Sequence, residues 1–97
     1  MPKAYWIARV DVGNPEAYAP YAAGAGPAIA KFGGRYLARG GRSESLQGPA
    51  RGRNVIVEFP DYEAALAAWN SPEYQAAKKF RDGNCEAEFV VVEGFEG

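Results

Sequence analysis

The amino-acid sequence predicts an α+β fold in which one antiparallel sheet carries its helices on a single face. Four segments alternate in polarity and are rich in aromatic and β-branched residues, which is the pattern of strands. Two longer stretches repeat apolar residues at intervals of three and four, which is the pattern of helices. The order of these segments is β-α-β-β-α-β, and at 97 residues we assign residues 1–97 to one domain.

The first two predicted elements are a strand and a helix. Residues 4–11 alternate in polarity and form the strand. Asn14 then provides a helix cap, Pro15 suits the first helical position, and Glu16 suits the positive end of the helix dipole. A pair of glycines at residues 33–34 ends this helix. Because two glycines and a proline occupy residues 24–27, we expect a kink or a short break there.

The middle of the chain predicts two further strands, a short one over residues 35–40 and a stronger one over residues 53–59. The connection between them, residues 41–52, is polar and rich in glycine. It is too long for a tight hairpin, so we expect it to be mobile or functional.

The remaining part of the chain predicts more helix and a last strand. Residues 60–61 end the third strand and cap a helix over residues 62–70, and Ser71 and Pro72 begin a second short helix. After a turn, residues 86–95 form the last strand. This order is that of the ferredoxin-like split β-α-β fold, an antiparallel sheet with its helices on one face.

Alternation along the strands divides their side chains between a helix-covered face and an open face. The predicted helix-covered set is Trp6, Ala8, Val10, Tyr36, Ala38, Val55, Val57 and Phe59. The predicted open set is Tyr5, Ile7, Arg9, Asp11, Leu37, Arg39, Asn54, Ile56 and Glu58. Because large aliphatic and charged side chains share the open face, it suits a symmetric subunit contact or a lined pocket.

The aliphatic content also favours a partner subunit. Leu, Ile, Val and Phe together make up only eighteen of the 97 residues, so the core is thin. With Ile7, Leu37 and Ile56 on a face that the helices do not cover, we predict a homodimer.

The absence of histidine excludes several kinds of site. Without it there is no Ser-His-Asp triad, no Cys-His pair, no proximal haem histidine and no histidine-ligated zinc. The single cysteine, Cys85, excludes an intramolecular disulfide and fits a reducing compartment. The sequence has neither the apolar region of a signal peptide nor an apolar run of membrane-spanning length. We therefore expect a cytoplasmic protein with no metal, no cofactor and no membrane contact.

Charge is distributed unevenly although the net charge is −1. Residues 31–53 hold six basic residues and one acidic residue, whereas residues 54–97 hold nine acidic and three basic residues. The basic block could contact phosphate groups, but with no net positive charge there is no long-range attraction to nucleic acid. We expect no nucleic-acid partner.

Several short segments resemble one small bacterial family. The segments are Tyr5-Trp6 with Asp11, residues 33–37 running into Arg39-Gly40-Gly41, Glu58-Phe59-Pro60, the helix at residues 65–69, residues 71–75 with Arg81, and residues 91–94. Together they resemble the domain-of-unknown-function family numbered 1330 over essentially the whole chain. The resemblance implies the dimeric α+β barrel fold, in which two ferredoxin-like subunits join their sheets face to face. The wider superfamily includes cofactor-free monooxygenases, lactone isomerases, haem enzymes that rely on a proximal histidine, and ligand-sensing domains.

Three classes of function are compatible with the sequence. The first is a module that binds a small, possibly anionic, organic molecule between sheet and helices or at the subunit contact. The second is a cofactor-free enzyme, an isomerase or a monooxygenase-like protein, and the third is a structural dimer without a ligand.

The candidate site residues follow from these classes. Asp11 and Glu58 are the candidate catalytic bases, with Arg39 supporting an oxyanion. We predict that Arg39 lies on the open face opposite or diagonal to Glu58, with Arg9 and Asp11 nearby. The predicted ligand-binding residues are Arg39, Arg9, Tyr5, Trp69 and Tyr74.

Overall fold

The computed structural model describes residues 2–95 of the chain. The strands are β1 (Ala4–Val12), β2 (Arg35–Arg39), β3 (Arg53–Phe59) and β4 (Cys85–Glu93), and the helices are α1 (Pro15–Lys31), α2 (Tyr62–Asn70) and α3 (Pro72–Arg81). The strands form one antiparallel sheet in the order β2-β3-β1-β4. The predicted order of elements and the ferredoxin-like α+β fold are both confirmed.

Helix α1 runs unbroken through the segment where we expected a kink or a short break. Pro20 and Pro27 both lie inside it. The apolar face of the helix is buried on both sides of residues 24–27, and this burial stabilises the two halves as one helix. Gly24 allows close packing here, because a Cβ at this position would stand only 3.0 Å from the Cβ of Ala77 on α3.

The core between sheet and helices is built mainly from aromatic rings and alanines. Trp6 lies at its centre, 5.0 Å from the ring centroids of both Phe59 and Tyr74. Its indole N–H donates a hydrogen bond to the carbonyl oxygen of Ala65 at 3.0 Å, so the buried polar atom has a partner.

The two faces of β1 and β3 are as predicted. Along β1 the side chains of Trp6, Ala8 and Val10 are buried beneath the helices, and Ile7 is 38% exposed on the other face. Along β3, Val57 and Phe59 are buried.

Strand β2 contradicts the predicted placement of Arg39. Tyr36 pairs with Val57, but the next pairs are Ala38 with Ile56 and Arg39 with Val55, so the register shifts at residue 37. This bulge inserts one extra residue and reverses the alternation that follows. Arg39 therefore lies on the helix side of the sheet, and not on the open face beside Glu58.

The long connection between β2 and β3 is anchored to the open face at its second end. The guanidinium of Arg51 contacts Asp11 at 2.9 Å, Glu88 at 2.6 Å and Glu86 at 3.2 Å. The side chain of Arg51 is 18% exposed, whereas residues 41–50 are exposed. Within residues 2–95, no helix is long and apolar enough to cross a membrane.

Candidate functional site

A narrow cavity lies between α1 and the β2–β3 edge of the sheet. Its walls are aromatic and aliphatic, and its volume of about 30 Å³ leaves room for about one water molecule. The aromatic lining residues are Trp6, Tyr18, Tyr21, Tyr36 and Phe89. Two arginines complete the lining, the exposed Arg39 and the half-buried Arg53. We call this the arginine cavity.

Neither arginine of the arginine cavity is neutralised by a carboxylate within the described part of the chain. Arg39 instead lies over the ring of Tyr36, with its Cζ 4.3 Å from the ring centroid. The Nε of Arg53 is buried and makes no hydrogen bond to residues 2–95. Two cations without counter-ions beside an aromatic cavity are an arrangement that suits an organic anion.

The hydroxyl groups of Tyr18 and Tyr21 stay protonated at neutral pH. Burial raises the pKa of Tyr18, and the nearby charge of Arg53 opposes that rise without cancelling it. Burial also raises the pKa of Tyr21, whose hydroxyl lies 2.8 Å from that of Tyr74. The lining contains no carboxylate, thiol or amine, so the arginine cavity offers no side chain of ordinary basicity to accept a proton from a substrate.

The first candidate base, Asp11, lies on the open face away from the arginine cavity. Its Oδ1 accepts a hydrogen bond from the Gly52 N–H at 2.7 Å, and its Oδ2 accepts one from Arg51 at 2.9 Å. These two bonds lower the pKa of the carboxyl group. A general base that works near neutral pH needs a raised pKa, so the environment of Asp11 does not favour that role.

The second candidate base, Glu58, is held in the same way. Lys3 at 3.1 Å and Arg35 at 3.0 Å both donate to its Oε1, and both lower its pKa. The predicted pairing of Glu58 with Arg39 is wrong, because the bulge in β2 turns Arg39 to the other side of the sheet.

The structure does not bring the predicted ligand-binding residues together. Tyr5 lies half-buried on the open face, and Tyr74 is completely buried in the core. Arg9 donates to the carbonyl oxygen of Pro49 and lines an open hollow of about 390 Å³ beneath residues 43–47. Trp69 lines an apolar cavity of about 280 Å³ between α2 and β4. Of the five, Arg39 alone lines the arginine cavity.

Sequence reasoning missed Arg53, Tyr18 and Tyr36 as candidate ligand-contacting residues. A signal for Arg53 was present, because it shares the helix-side alternation of Val55 and Val57 and is therefore directed beneath the helices. An arginine at a helix-facing strand position is therefore as good a candidate for a ligand contact as one on an open face.

Within residues 2–95, no group of His, Cys, Asp or Glu side chains has the arrangement of a metal site.

The open face of the sheet carries a second feature, a row of aliphatic side chains across its middle. Ile7 pairs with Ile56 on one side and with Val90 on the other. Ile7, Val90 and the neighbouring Val92 are 38%, 56% and 43% exposed. We call Ile7, Ile56, Val90 and Val92 the aliphatic row.

The chain matches a protein family over nearly its whole length. A family model described as "Domain of unknown function (DUF1330)" matches residues 3–95. No curated protein sequence matches the chain.

Several solved structures share the fold at low sequence identity. A protein of unknown function from Rhodopseudomonas palustris is 21% identical with a TM-score of 0.80, over 99% of this chain and 85% of that one. A dimeric ferredoxin-like protein of unknown function from Jannaschia is 13% identical with a TM-score of 0.72, over 95% and 99%. SnoaB, a cofactor-independent oxygenase from Streptomyces nogalater, is 14% identical with a TM-score of 0.68, over 100% and 97%. At these identities, the similarity shows a shared fold and nothing more.

Proposed function

The chain belongs to the DUF1330 family, and we propose that it binds a small organic anion in the arginine cavity. The observation that carries the proposal is the pair Arg39 and Arg53, two guanidinium groups beside an aromatic cavity with no carboxylate partner in residues 2–95. The partly buried charge of Arg53 is costly unless something pairs with it, and an acidic ligand supplies that pairing.

Binding requires Arg39 to move, because the cavity has room for only about one water molecule. The stacking of an exposed guanidinium on a tyrosine contributes only about 0.5–1 kcal/mol, less than the ~1.5–3 kcal/mol of a charge-assisted hydrogen bond. In the bound state the ring of the ligand takes the place of Arg39 over Tyr36. The guanidinium then turns to the acidic group of the ligand.

A binding role fits these residues better than catalysis. A cofactor-free isomerase or monooxygenase needs a group that removes a proton from its substrate, and the lining of the arginine cavity lacks a carboxylate, thiol or amine. The similarity to the oxygenase SnoaB is one of fold at 14% identity, and fold alone does not carry a reaction.

We also propose that the protein is a homodimer joined through its open sheet face. The aliphatic row supports this arrangement, because its side chains lie where no helix of the same chain covers them. Burying such a row against a second copy is favourable by about 25 cal/mol per Å² of apolar surface.

The binding proposal is tested by titrating the isotope-labelled protein with benzoate at constant ionic strength and following its NMR spectrum. We expect saturable shifts at residues that line the arginine cavity, and a roughly tenfold weaker affinity in Arg39→Gln, equivalent to about 1.4 kcal/mol. Arg42→Gln is the control, since Arg42 is an exposed arginine in the adjoining connection and does not line the cavity. Shifts that do not saturate, or equal affinity in Arg39→Gln and the wild type, would contradict the proposal.

A further inference from the structure

We infer that the arginine cavity selects a doubly charged acidic group, such as a phosphate monoester, and that Gly40 is the residue that positions Arg53 to hold it. The inference rests on the proposed function and deepens it, since it names the charge class of the ligand and a residue outside the cavity lining.

The register of β2 and β3 places the two guanidinium groups side by side. Arg39 pairs with Val55, and Arg53 lies two residues before Val55 on the same face. The two arginines are therefore diagonal neighbours, with backbones roughly 7–8 Å apart, within reach of two long side chains. The bulge at residue 37 makes this possible, because an uninterrupted β2 would have directed Arg39 to the opposite face.

Two positive charges remain available at this point of the molecule. The acidic residue nearest to Arg53 in the sheet register is Asp11, which lies on the open face and is already paired with Arg51. Glu58, further along β3, is paired with Lys3 and Arg35. The attraction between fixed charges grows with the charge of the ligand, so two free guanidinium groups favour a dianion over a monoanion. Phosphate oxygens also match the forked donors of arginine.

Gly40 controls where the guanidinium of Arg53 lies. The backbone of Gly40 has a φ of +70°, and its N–H donates to the carbonyl oxygen of Asn54 at 2.9 Å. A Cβ at this position would overlap the Nη1 of Arg53 and stand 3.1 Å from its Cζ. The guanidinium thus lies directly against the bare α-carbon of Gly40. A methyl group there displaces the end of a flexible side chain, and the strand pairing survives.

The test compares phenyl phosphate with benzoate at pH 8, where phenyl phosphate carries two charges and benzoate one. Both are titrated against the full chain at one ionic strength. We expect the wild type to bind phenyl phosphate at least ten times more tightly than benzoate. Gly40→Ala should reduce this ratio to about three or less, and so should Arg53→Gln, which leaves the backbone of residue 40 unchanged.

Gly48→Ala is the matched control for backbone strain. Gly48 also has a left-handed backbone, with a φ of +85°, but a Cβ there would have no neighbour within 4 Å. We expect Gly48→Ala to keep the wild-type preference for phenyl phosphate.

The outcomes separate this inference from the proposed function. If the wild type binds benzoate in the cavity and phenyl phosphate no more tightly, the dianion inference is wrong and the proposed function stands. If Gly40→Ala keeps the full preference, the positioning role of Gly40 is wrong. If the wild type binds neither probe, the proposed function is wrong, and this inference with it.

Discussion

At the scale of single residues, the hydroxyl groups of Tyr21 and Tyr74 meet in the core. The two oxygens are 2.8 Å apart, on α1 and α3, and both side chains are buried. Each hydroxyl thus satisfies the other where water does not reach, and the contact ties the two helices together.

Removing both of these hydroxyls should cost less than the sum of the two single removals. In Tyr74→Phe the hydroxyl of Tyr21 loses its partner, and we expect the free energy of unfolding to fall by about 1–3 kcal/mol. In the double variant Tyr21→Phe/Tyr74→Phe neither polar group remains, and the loss should be smaller than the sum of the two single losses. Urea unfolding of the wild type, Tyr21→Phe, Tyr74→Phe and the double variant measures these changes in the free energy of unfolding. Additive losses would show that the two hydroxyls act independently.

The hydrogen bonds of Asp11 lead to a second prediction for single residues, on how stability depends on pH. Hydrogen bonds from the Gly52 N–H and from Arg51 lower the pKa of Asp11 below its usual 3.8. The stabilisation they provide is therefore fully present above pH 3.8 and is lost as the pH falls through the folded-state pKa. We expect the Gly52 amide resonance to titrate with a midpoint below 3.8 in the wild type. In Arg51→Gln that midpoint should rise part of the way, because the Gly52 bond remains. A midpoint that Arg51→Gln leaves unchanged would contradict this assignment.

At the scale of the elements, alternation predicted β1 and β3 correctly and β2 incorrectly. In β1 one face is buried from Ala4 to Val10, and in β3 Val57 and Phe59 are buried on the same side. A change of register would expose this part of the core, so the polarity pattern is reliable there. In β2, an exposed edge strand of five residues, little burial specifies the register, and the bulge at residue 37 leaves no mark in the polarity of the sequence. The error about Arg39 follows from that bulge.

The candidate site was less predictable than the fold for a related reason. The arginine cavity is formed by residues from α1, β2 and β3, so its composition depends on how these elements pack. Residue type alone made Arg39 a candidate ligand-binding side chain in the sequence, whereas its surroundings depend on the register of β2 against β3.

Helix α1 offers a matched pair of glycines for a test of packing. A Cβ at Gly26 would have no neighbour within 4 Å, whereas one at Gly24 would stand 3.0 Å from the Cβ of Ala77. Alanine is favoured over glycine inside a helix by about 1 kcal/mol. We expect Gly26→Ala to raise the free energy of unfolding by roughly that amount. Gly24→Ala should raise the free energy of unfolding by less than Gly26→Ala does, or lower it, because α1 and α3 must separate slightly to accept the new methyl group.

Chemical denaturation of the two variants decides between these effects. Equal stabilisation by both substitutions would mean that the α1–α3 contact at Gly24 is loose.

At the scale of the whole molecule, the open sheet face is divided between two kinds of surface. Toward one end, the connection of residues 41–52 lies over charged side chains and is anchored there by Arg51. Across the middle, the aliphatic row remains uncovered by the described part of the chain. A second copy that docks with its own sheet face therefore meets an apolar centre with charged groups beside it, which is the usual anatomy of a subunit interface.

A single charge in the aliphatic row should disrupt the proposed dimer. Light scattering of the wild type at micromolar concentration should give about twice the chain mass of 10.4 kDa. Ile7 pairs with both Ile56 and Val90, so Ile7→Lys places an ammonium group at the centre of the contact. We expect its dimer dissociation constant to rise by about 100-fold or more, equivalent to roughly 2.7 kcal/mol. Ala67→Lys, on an exposed position of α2, adds the same charge away from the sheet and should remain dimeric.

A wild type that stays at 10.4 kDa as its concentration rises would rule out the dimer, because the aliphatic row would then be exposed in solution without a partner. If instead Ile7→Lys and Ala67→Lys both remain dimeric, the two copies join through a surface other than the open sheet face.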